Sequence, residues 1–318
     1  METKVEQMDI DLVYLWVDGE DPKWQAKFKT FIGKTDENSS NNCKGRYVNN
    51  DELKYSLRSI ENYAPWVRNI FIVTDNQVPE WLDLSHPKIK IIDHKEILPK
   101  ESRPCFNSCL LEYFLYRIPG LAEHFLYAND DMFLNKPTSP ETFFTAEGLP
   151  IIRLTRKPFR KLRWFFREEI CKKPLKNYSK TIGRAAKLVE KKYGRYFTGM
   201  PHHNIDAYLR SDYQRIVEKD FRAEYSANKV THLRHDNDIQ RSIISYVALA
   251  KRRGELCYVS QNESIILMIH KENHYRKFTE KQPMFFCMND SEYAQDTDRM
   301  KAMDFLEKLF PAKSEFEK

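Results

Sequence analysis

The chain has 318 residues, a length that suits one large domain or one domain with a sizeable insertion. Hydrophobic residues make up 41% of the chain, which is enough to build a core and excludes a disordered protein. No stretch approaches the roughly 18 apolar residues that span a bilayer, and residues 1–9 lack the pattern of a signal peptide. A cytoplasmic enzyme is therefore expected. The six cysteines include no CxxC pair, which favours reduced thiols over a zinc site or a disulfide scaffold.

The net charge of +6 is unevenly distributed along the chain. Residues 151–195 contain 16 Lys or Arg and 3 Asp or Glu, a net +13, so the remaining residues carry −7. Trp164, Phe165 and Phe166 lie among these cations. Such asymmetry indicates an anionic partner, which the sequence leaves open as nucleic acid, a membrane surface or a polyanionic acceptor. A solvated helical insertion is the alternative.

Strands and helices are predicted to alternate through the first half of the chain. Residues 11–17 are mostly apolar and end at Asp18-Gly19, which predicts a buried strand and a turn. Further strands and helices are expected, in order, as a helix capped at Asn50 or Asp51, strands over 70–73 and 89–92, a helix over 108–117 and a strand over 125–128. This alternation predicts an α/β fold with a doubly wound sheet, whose ligands lie at the carboxyl ends of the strands.

The second half of the chain divides into two parts. Residues 151–198 are predicted to form a basic, mainly helical insertion, and residues 1–150 the α/β portion before it. Residues 199–318 are expected to complete the catalytic domain. Helices are predicted over 238–250, where apolar residues share one side, and around 303–310 near the C-terminus.

The motif Asn129-Asp130-Asp131 places two adjacent carboxylates at the end of a predicted buried strand. A divalent cation relieves their mutual repulsion, and Mg²⁺ or Mn²⁺ prefers oxygen ligands that are shared with substrate phosphates. The diphosphate of an activated sugar donor supplies such phosphates. A solvated acidic turn or a helix cap is the alternative reading of the same residues.

Asp18 also follows a predicted strand, so it is expected at the mouth of the same cleft. Its carboxylate can bind a ribose or a base, and Trp16 can stack on the base, although Asp-Gly is equally a common turn.

Histidines and an arginine in the distant half are further candidates. His202 and His203 follow a Met-Pro break and can accept a proton from a hydroxyl near neutral pH, or can be a structural pair. Arg234 can neutralise a phosphate, or can pair with the nearby Asp236 and Asp238.

Seven segments together resemble the Stealth family, which includes bacterial capsular polysaccharide phosphotransferases and the catalytic subunit of the lysosomal-enzyme N-acetylglucosamine-1-phosphotransferase. The segments stand in family order and comprise residues 11–21 (DLVYLWVDGED), 51–60 (DELKYSLRSI), 64–75 (APWVRNIFIVTD), 125–133 (FLYANDDMF), 200–206 (MPHHNID), 233–240 (LRHDNDIQ) and 287–290 (CMND). Leu15 and Asp18 depart from the family's common Thr and Asn, and residues 103–106 (RPCF) from its Leu-Pro-Thr-Phe, which leaves the sugar preference open.

The resemblance implies a GT-A-like nucleotide-diphosphosugar fold and transfer of a hexose-1-phosphate to a sugar hydroxyl, with release of a nucleoside monophosphate. An ordinary glycosyltransferase that releases a nucleoside diphosphate is the alternative. By motif position the catalytic residues are His202, Arg234 and Asp131; the donor-binding residues are Trp16, Asp18, Asp21, Arg58 and Asn129; and the ligands of Mg²⁺ or Mn²⁺ are Asp130, Asp131 and Asp290.

The partners expected from the resemblance are a nucleotide-sugar, with UDP-hexose or UDP-N-acetylhexosamine favoured, and a saccharide or poly(sugar phosphate) acceptor. Nucleic acid is not expected, because the acids and histidines predicted at the cleft argue against a nucleic-acid-binding module. Contact with the inner face of the membrane stays open, since the basic segment suits either the acceptor or a lipid surface.

Overall fold

A computed structural model describes residues 8–32 and 48–318. The strands among these residues are β1 (Ile10–Leu15), β2 (Ile70–Thr74), β3 (Ile89–Asp93), β4 (His124–Asn129), β5 (Met132–Leu134), β6 (Ile151–Thr155), β7 (Met200–Pro201), β8 (Asp206–Leu209), β9 (Glu255–Val259), β10 (Ser264–Met268) and β11 (Phe285–Asn289). The helices are α1 (Pro22–Ile32), α2 (Glu52–Tyr63), α3 (His94–Ile97), α4 (Ser108–Glu112), α5 (Arg160–Phe165), α6 (Asn177–Tyr193), α7 (Arg210–Arg215), α8 (Arg222–Asn228), α9 (Ser242–Ala250), α10 (Glu272–Lys281) and α11 (Asp296–Leu309). Two π-helical turns, Phe166–Ile170 and Ile216–Asp220, continue α5 and α7.

The main sheet has the strand order β3-β2-β1-β4-β8. Its first four strands are parallel, and β8 runs antiparallel to β4. Every residue of β2 is buried, as its β-branched run without polar alternation predicts for a strand covered on both faces. The predicted α/β class is confirmed; the finer GT-A-like assignment stays a prediction from the resemblance.

Side-chain alternation along β1 builds a core on each face of this sheet. Val13 packs in one hydrophobic cluster with β2, α4 and α9, whereas Leu12 and Tyr14 pack on the other face with α2. Two smaller sheets, β10-β11-β5 and β7-β6-β9, flank the main one. The antiparallel pairing of β11 with β5 sets Cys287 opposite Met132, next to the acidic motif that follows β4.

Three predicted helices differ in extent from the observed ones. The helix predicted over 238–250 begins at Ser242, because Asp238 instead accepts a hydrogen bond from the backbone N–H of His235 and forms a turn. The helix predicted over 108–117 ends as α4 at Glu112. The C-terminal helix begins well before residue 303, at Asp296, where Gln295 and Asp298 form a reciprocal cap.

The basic segment 151–198 is built into the fold at both of its ends. Its first residues form β6, which pairs with β9 and β7, and α6 packs against α9 in the same core cluster. The segment thus contains a strand besides the expected helices, and its boundaries as a separate insertion stay a prediction. No helix in the described ranges is long and apolar enough to cross a bilayer.

A buried carboxylate at the amino end of the main sheet is fully satisfied. Asp11 accepts hydrogen bonds from Arg68 (2.9 and 2.7 Å), from the backbone and side-chain nitrogens of Asn69 (3.2 Å each) and from the backbone N–H of Ala122 (2.7 Å). These bonds tie β1 to the residues that precede β2 and β4. Asp131, at the carboxyl end of the sheet, does not have such a set of hydrogen-bond donors among the described residues.

Candidate active site

Three carboxylates converge at the carboxyl end of β4. Asp130 and Asp131 form the turn between β4 and β5, and Glu52 is the first residue of α2. Burial, reinforced by the charge of Asp131, raises the pKa of Asp130 to about 7. Burial raises the pKa of Asp131 to about 6, and the charge of Glu52 adds to that shift. The pKa of Glu52 is raised to about 7 by burial and by Asp130. These three residues therefore form one acidic cluster in which ionisation is costly.

Asp131 has one buried carboxylate oxygen without a hydrogen-bond partner among the described residues. Its Oδ2 accepts a hydrogen bond from the Cys287 thiol at 3.1 Å, while its Oδ1 is buried and has no hydrogen-bond partner among the described residues. Its backbone carbonyl accepts from the N–H of Met288 on β11 (2.9 Å), which fixes the position of the turn. Because buried polar atoms are nearly always paired, this orphaned oxygen points to a ligand.

His203 lies beside the acidic cluster. One ligand atom each from Asp131, His203 and Cys287 lie within 4.8 Å of one another. Burial lowers the pKa of His203 to about 4, and the charge of Arg241 adds to the effect, so the imidazole is neutral at pH 7. Its backbone has a φ of 57°, the left-handed conformation that non-glycine residues adopt mainly where function or tight geometry requires it.

The chemistry of these side chains fits a hard divalent cation. Carboxylate oxygens are the ligands that Mg²⁺ and Mn²⁺ prefer, and a neutral imidazole can add a nitrogen ligand. Burial and Asp131 hold the pKa of Cys287 well above its ordinary value, so its sulfur stays a protonated donor.

His202, the predicted proton acceptor, is fully buried and turned into the protein. Its Nδ1 lies 3.1 Å from the Ser264 hydroxyl, and its Nε2 lies 3.3 Å from Oδ1 of Asp206. Nδ1 is thus hydrogen-bonded, whereas Nε2 only faces Asp206, in a contact that lacks hydrogen-bond geometry. The structure instead brings the adjacent His203 to the acidic cluster.

Arg241, a buried cation that is not among the predicted site residues, connects several elements next to the acidic cluster. Arg241 forms ion pairs with Glu112 (3.3 Å) and Asp206 (3.1 Å), and its guanidinium lies 4.4 Å from the Tyr127 ring centroid. The Tyr127 hydroxyl in turn lies 2.7 Å from Oδ1 of Asn129, to which it donates, and 3.1 Å from Oε1 of Glu112. Although burial acts to raise the pKa of Asp206, the close contact with His202 and the charge of Arg241 bring it below its ordinary value.

Arg234 stands close to the same network and forms no ion pair with a carboxylate of the described residues. Its Nη2 donates to the Ser108 hydroxyl at 2.6 Å, and its charge contributes to the lowered pKa of His203. Asp236 pairs with Lys180, and Asp238 accepts from Asn107, so neither acid forms an ion pair with Arg234 within the described chain. Burial raises the pKa of Asp238, and the nearby charge of Arg234 acts against that rise, so interaction with these acids and phosphate binding both stay predictions for Arg234.

The predicted donor-binding residues at the end of β1 differ in burial and in their hydrogen-bond partners. Trp16 is only 5% exposed and packs in the core, which leaves little of its indole for stacking on a base. Gln77 accepts from the Asp18 backbone N–H and donates to Oδ2 of Asp21, so it fixes the turn between them. The bond from Gln77, followed by that from the Lys23 N–H, lowers the pKa of Asp21.

Two predicted site residues are engaged elsewhere. Arg58 donates to Glu317 (2.8 and 2.9 Å) and to the carbonyl of Phe310, where it fastens the C-terminus to α2. Asp290 accepts two bonds from Arg299, at 2.7 and 3.2 Å. The charged groups of Arg58 and Asp290 are therefore paired with other residues of the chain, and the structure does not show either residue in contact with the acidic cluster.

Comparison with known proteins gives the family. Stealth conserved region 1 matches residues 8–36, and Stealth conserved region 2 matches residues 46–152. The capsular polysaccharide phosphotransferase SacB of Neisseria meningitidis serogroup A is 32% identical over 321 residues, which cover 98% of this chain and 57% of SacB. The exopolysaccharide phosphotransferase SCO2594 of Streptomyces coelicolor is 34% identical over 97% of this chain and 51% of its own length.

A solved galactosyltransferase, LgtC in complex with donor and acceptor sugar analogues, is 12% identical with a TM-score of 0.46, over 96% of this chain and 98% of LgtC. The fold and site are those of an α/β protein with an acidic, cation-capable centre at the carboxyl edge of a parallel sheet. The chain belongs to the Stealth family. It spans about half the length of the curated relatives it matches.

We expect the acidic cluster to destabilise the metal-free protein as pH rises. A carboxyl whose pKa is raised on folding contributes stability below its unfolded value near 4, and this contribution is lost as pH rises through about 7 for Asp130. In the presence of chelator, Asp130→Asn should therefore raise the free energy of unfolding by about 1–2 kcal/mol at pH 8 and leave it nearly unchanged at pH 4. Urea denaturation at the two pH values measures this difference.

The matched control is Asp11→Asn at the other end of the sheet. Because Asp11 is a satisfied partner of Arg68, its loss should lower the free energy of unfolding at pH 8, opposite in sign to Asp130→Asn. If both variants lowered the free energy of unfolding equally at pH 8, ionisation of the acidic cluster would not be unfavourable in the metal-free protein.

Proposed function

We propose that this chain transfers a sugar-1-phosphate from a nucleotide-diphosphosugar to a saccharide hydroxyl, with release of a nucleoside monophosphate. The observation that carries this proposal is the acidic cluster, with its orphaned Asp131 Oδ1 and a neutral histidine beside it. The relatives' names, capsular and exopolysaccharide phosphotransferase, favour phosphoryl transfer over other reactions that an acidic site supports.

In this proposal Asp130 and Asp131 hold Mg²⁺ or Mn²⁺, and His203 is close enough to add a nitrogen ligand or to act on the acceptor. A cation bound there neutralises charge on the donor diphosphate. Binding would also remove the repulsion between the two adjacent carboxylates. The role of Asp290 as a third ligand is set aside, because its carboxylate is bonded to Arg299.

Transfer requires attack at the phosphorus that carries the sugar. The acceptor hydroxyl oxygen forms the new P–O bond, the bond from that phosphorus to the bridging oxygen breaks, and the nucleoside monophosphate leaves with the electron pair. A neutral His203 takes the hydroxyl proton. Arg234, which forms no ion pair with a carboxylate within the described residues, stabilises charge on the phosphoryl oxygens.

The remaining assignments follow the family resemblance. Asp18 and Asp21 at the end of β1 and Asn129 at the end of β4 lie on the donor side, and a UDP-hexose or UDP-N-acetylhexosamine is the favoured donor. The acceptor is a saccharide or a growing poly(sugar phosphate), and the reaction takes place in the cytoplasm. The other candidate is a glycosyltransferase that attacks the sugar carbon and releases a nucleoside diphosphate.

The leaving nucleotide separates these two reactions. The protein, incubated with a panel of nucleotide-sugars, Mg²⁺ and a saccharide acceptor, should release a nucleoside monophosphate in proportion to product, because the bond broken lies between the two phosphates. Ion-exchange chromatography of the nucleotides measures the outcome. Release of nucleoside diphosphate would establish the glycosyltransferase instead.

Adjacent histidines offer a second test. His203→Ala should lower turnover by roughly 10²- to 10⁴-fold if His203 takes the proton, with little change in thermal stability. His202→Ala should chiefly lower the melting temperature, because Asp206 and Ser264 lose a buried partner. Turnover and melting curves of both variants give the comparison. Wild-type turnover in His203→Ala, together with lost turnover in a stable His202→Ala, would return the role to His202.

A further inference from the structure

The segment that joins β6 to α6 exposes a set of large apolar side chains. α5 and the π-helical turn that continues it form one helix, preceded by Phe159. The exposed fractions are 73% for Phe159, 57% for Leu162, 55% for Phe165, 53% for Phe166 and 60% for Ile170. A concentration of exposed aromatic and aliphatic side chains on one short segment marks an interaction surface.

Cations alternate with these apolar side chains at helical spacing. Phe159, Leu162 and Phe166 are each followed by an arginine, so an apolar stripe runs beside a basic one. Residues 156–176 contain nine Lys or Arg and two Asp or Glu, a net +7. Lys157 and Arg163 have no carboxylate partner within the described part of the chain, and neither has Arg167. We name residues 157–170 the aromatic–basic surface.

A cavity of about 310 Å³ opens within the aromatic–basic surface. Its lining consists of Lys157, Arg160, Arg163, Trp164, Arg167, Ser179 and Met200. Arg160 is only 3% exposed; its Nη2 donates to the carbonyl of Phe197, and its Nε and Nη1 have no hydrogen-bond partner among the described residues. A buried, incompletely satisfied guanidinium among further cations is suited to a phosphate group.

We propose that the aromatic–basic surface docks on a bilayer that contains anionic phospholipid, with a headgroup phosphate in the cavity. A free polyanion would use the cations but would leave the apolar side chains in water. A protein interface would take up the aromatic side chains and some of the arginines, but the centre of such an interface is depleted of charged residues, whereas residues 156–176 carry a net +7. The interfacial zone of an anionic bilayer takes up both, since apolar side chains enter the headgroup boundary while cations meet the lipid phosphates.

Docking in this way would hold the candidate active site near the bilayer. Ser179 lines the cavity, and the ring of its neighbour Tyr178 lies 5.8 Å from the ring of His203. Asn177 and Lys180, one turn apart on α6, hold Asp236 beside Arg234. The N-terminal turn of α6 thus separates the aromatic–basic surface from the acidic cluster.

Vesicle flotation tests the proposal without donor or acceptor, so its outcome does not depend on the proposed transferase activity. The protein should float with vesicles of phosphatidylcholine and phosphatidylglycerol, should not float with phosphatidylcholine alone, and should be released by salt. Arg163→Gln and Arg167→Gln should each weaken binding about fivefold, the equivalent of about 1 kcal/mol per cation. Leu162→Ser with Phe166→Ser should weaken it further, because both apolar side chains leave the interface.

Three double variants serve as controls for charge and for exposed apolar side chains. Arg163→Lys with Arg167→Lys should retain binding, and so should Arg276→Gln with Lys277→Gln on α10 and the exposed pair Leu84→Ser with Met300→Ser. Equal flotation with both vesicle types, or unchanged binding in the serine variant, would overturn the proposal. So would capture of a soluble sugar-phosphate oligomer that depends on the arginines but not on the apolar side chains, since the surface would then be an acceptor site.

Discussion

Mutual repulsion among three half-buried carboxylates is the constraint on which the site depends. No Lys or Arg of the described chain forms an ion pair with Glu52, Asp130 or Asp131, although charged groups that are partly removed from water are normally paired. Asp11 shows that the same sheet can satisfy a buried carboxylate completely at its other end. The fold therefore supports an unfavourable arrangement at its carboxyl edge, which a bound cation would relieve.

The elements around the acidic cluster are positioned by long-range contacts. β11 fixes the acidic turn through the Met288 backbone and places the Cys287 thiol on Asp131. On the other side, Arg241 joins α4, β4 and β8 through Glu112, Tyr127 and Asp206. The two halves of the chain thus meet at the site, and the lowered pKa of His203 arises from burial within that junction and from the positive charge of Arg241.

Local sequence patterns predicted many of the strands and the acidic motif. Residues that reach the site through contacts with distant parts of the chain could not be predicted in this way. The β-branched run of β2 and the adjacent acids after β4 are visible in the sequence because strand burial and strand ends have local signatures. Glu52 and Arg241 were missed, since nothing local shows that they converge with residues far along the chain. The choice between His202 and His203 depends on the left-handed backbone at His203, which turns neighbouring rings to different sides. Stacking by Trp16 stays a prediction, and the neighbours that leave its side chain 5% exposed are not visible in the local sequence.

Cation binding tests most directly whether Asp130 and Asp131 form a divalent-metal site. Titration calorimetry with Mn²⁺ in the presence of a nucleoside diphosphate compares the wild type with Asp131→Asn, and Asp304→Asn provides an exposed carboxylate control. We predict one Mn²⁺ site, with an affinity that is weakened at least about tenfold by Asp131→Asn and unchanged in the control. Equal affinity in the wild type and Asp131→Asn would contradict this prediction.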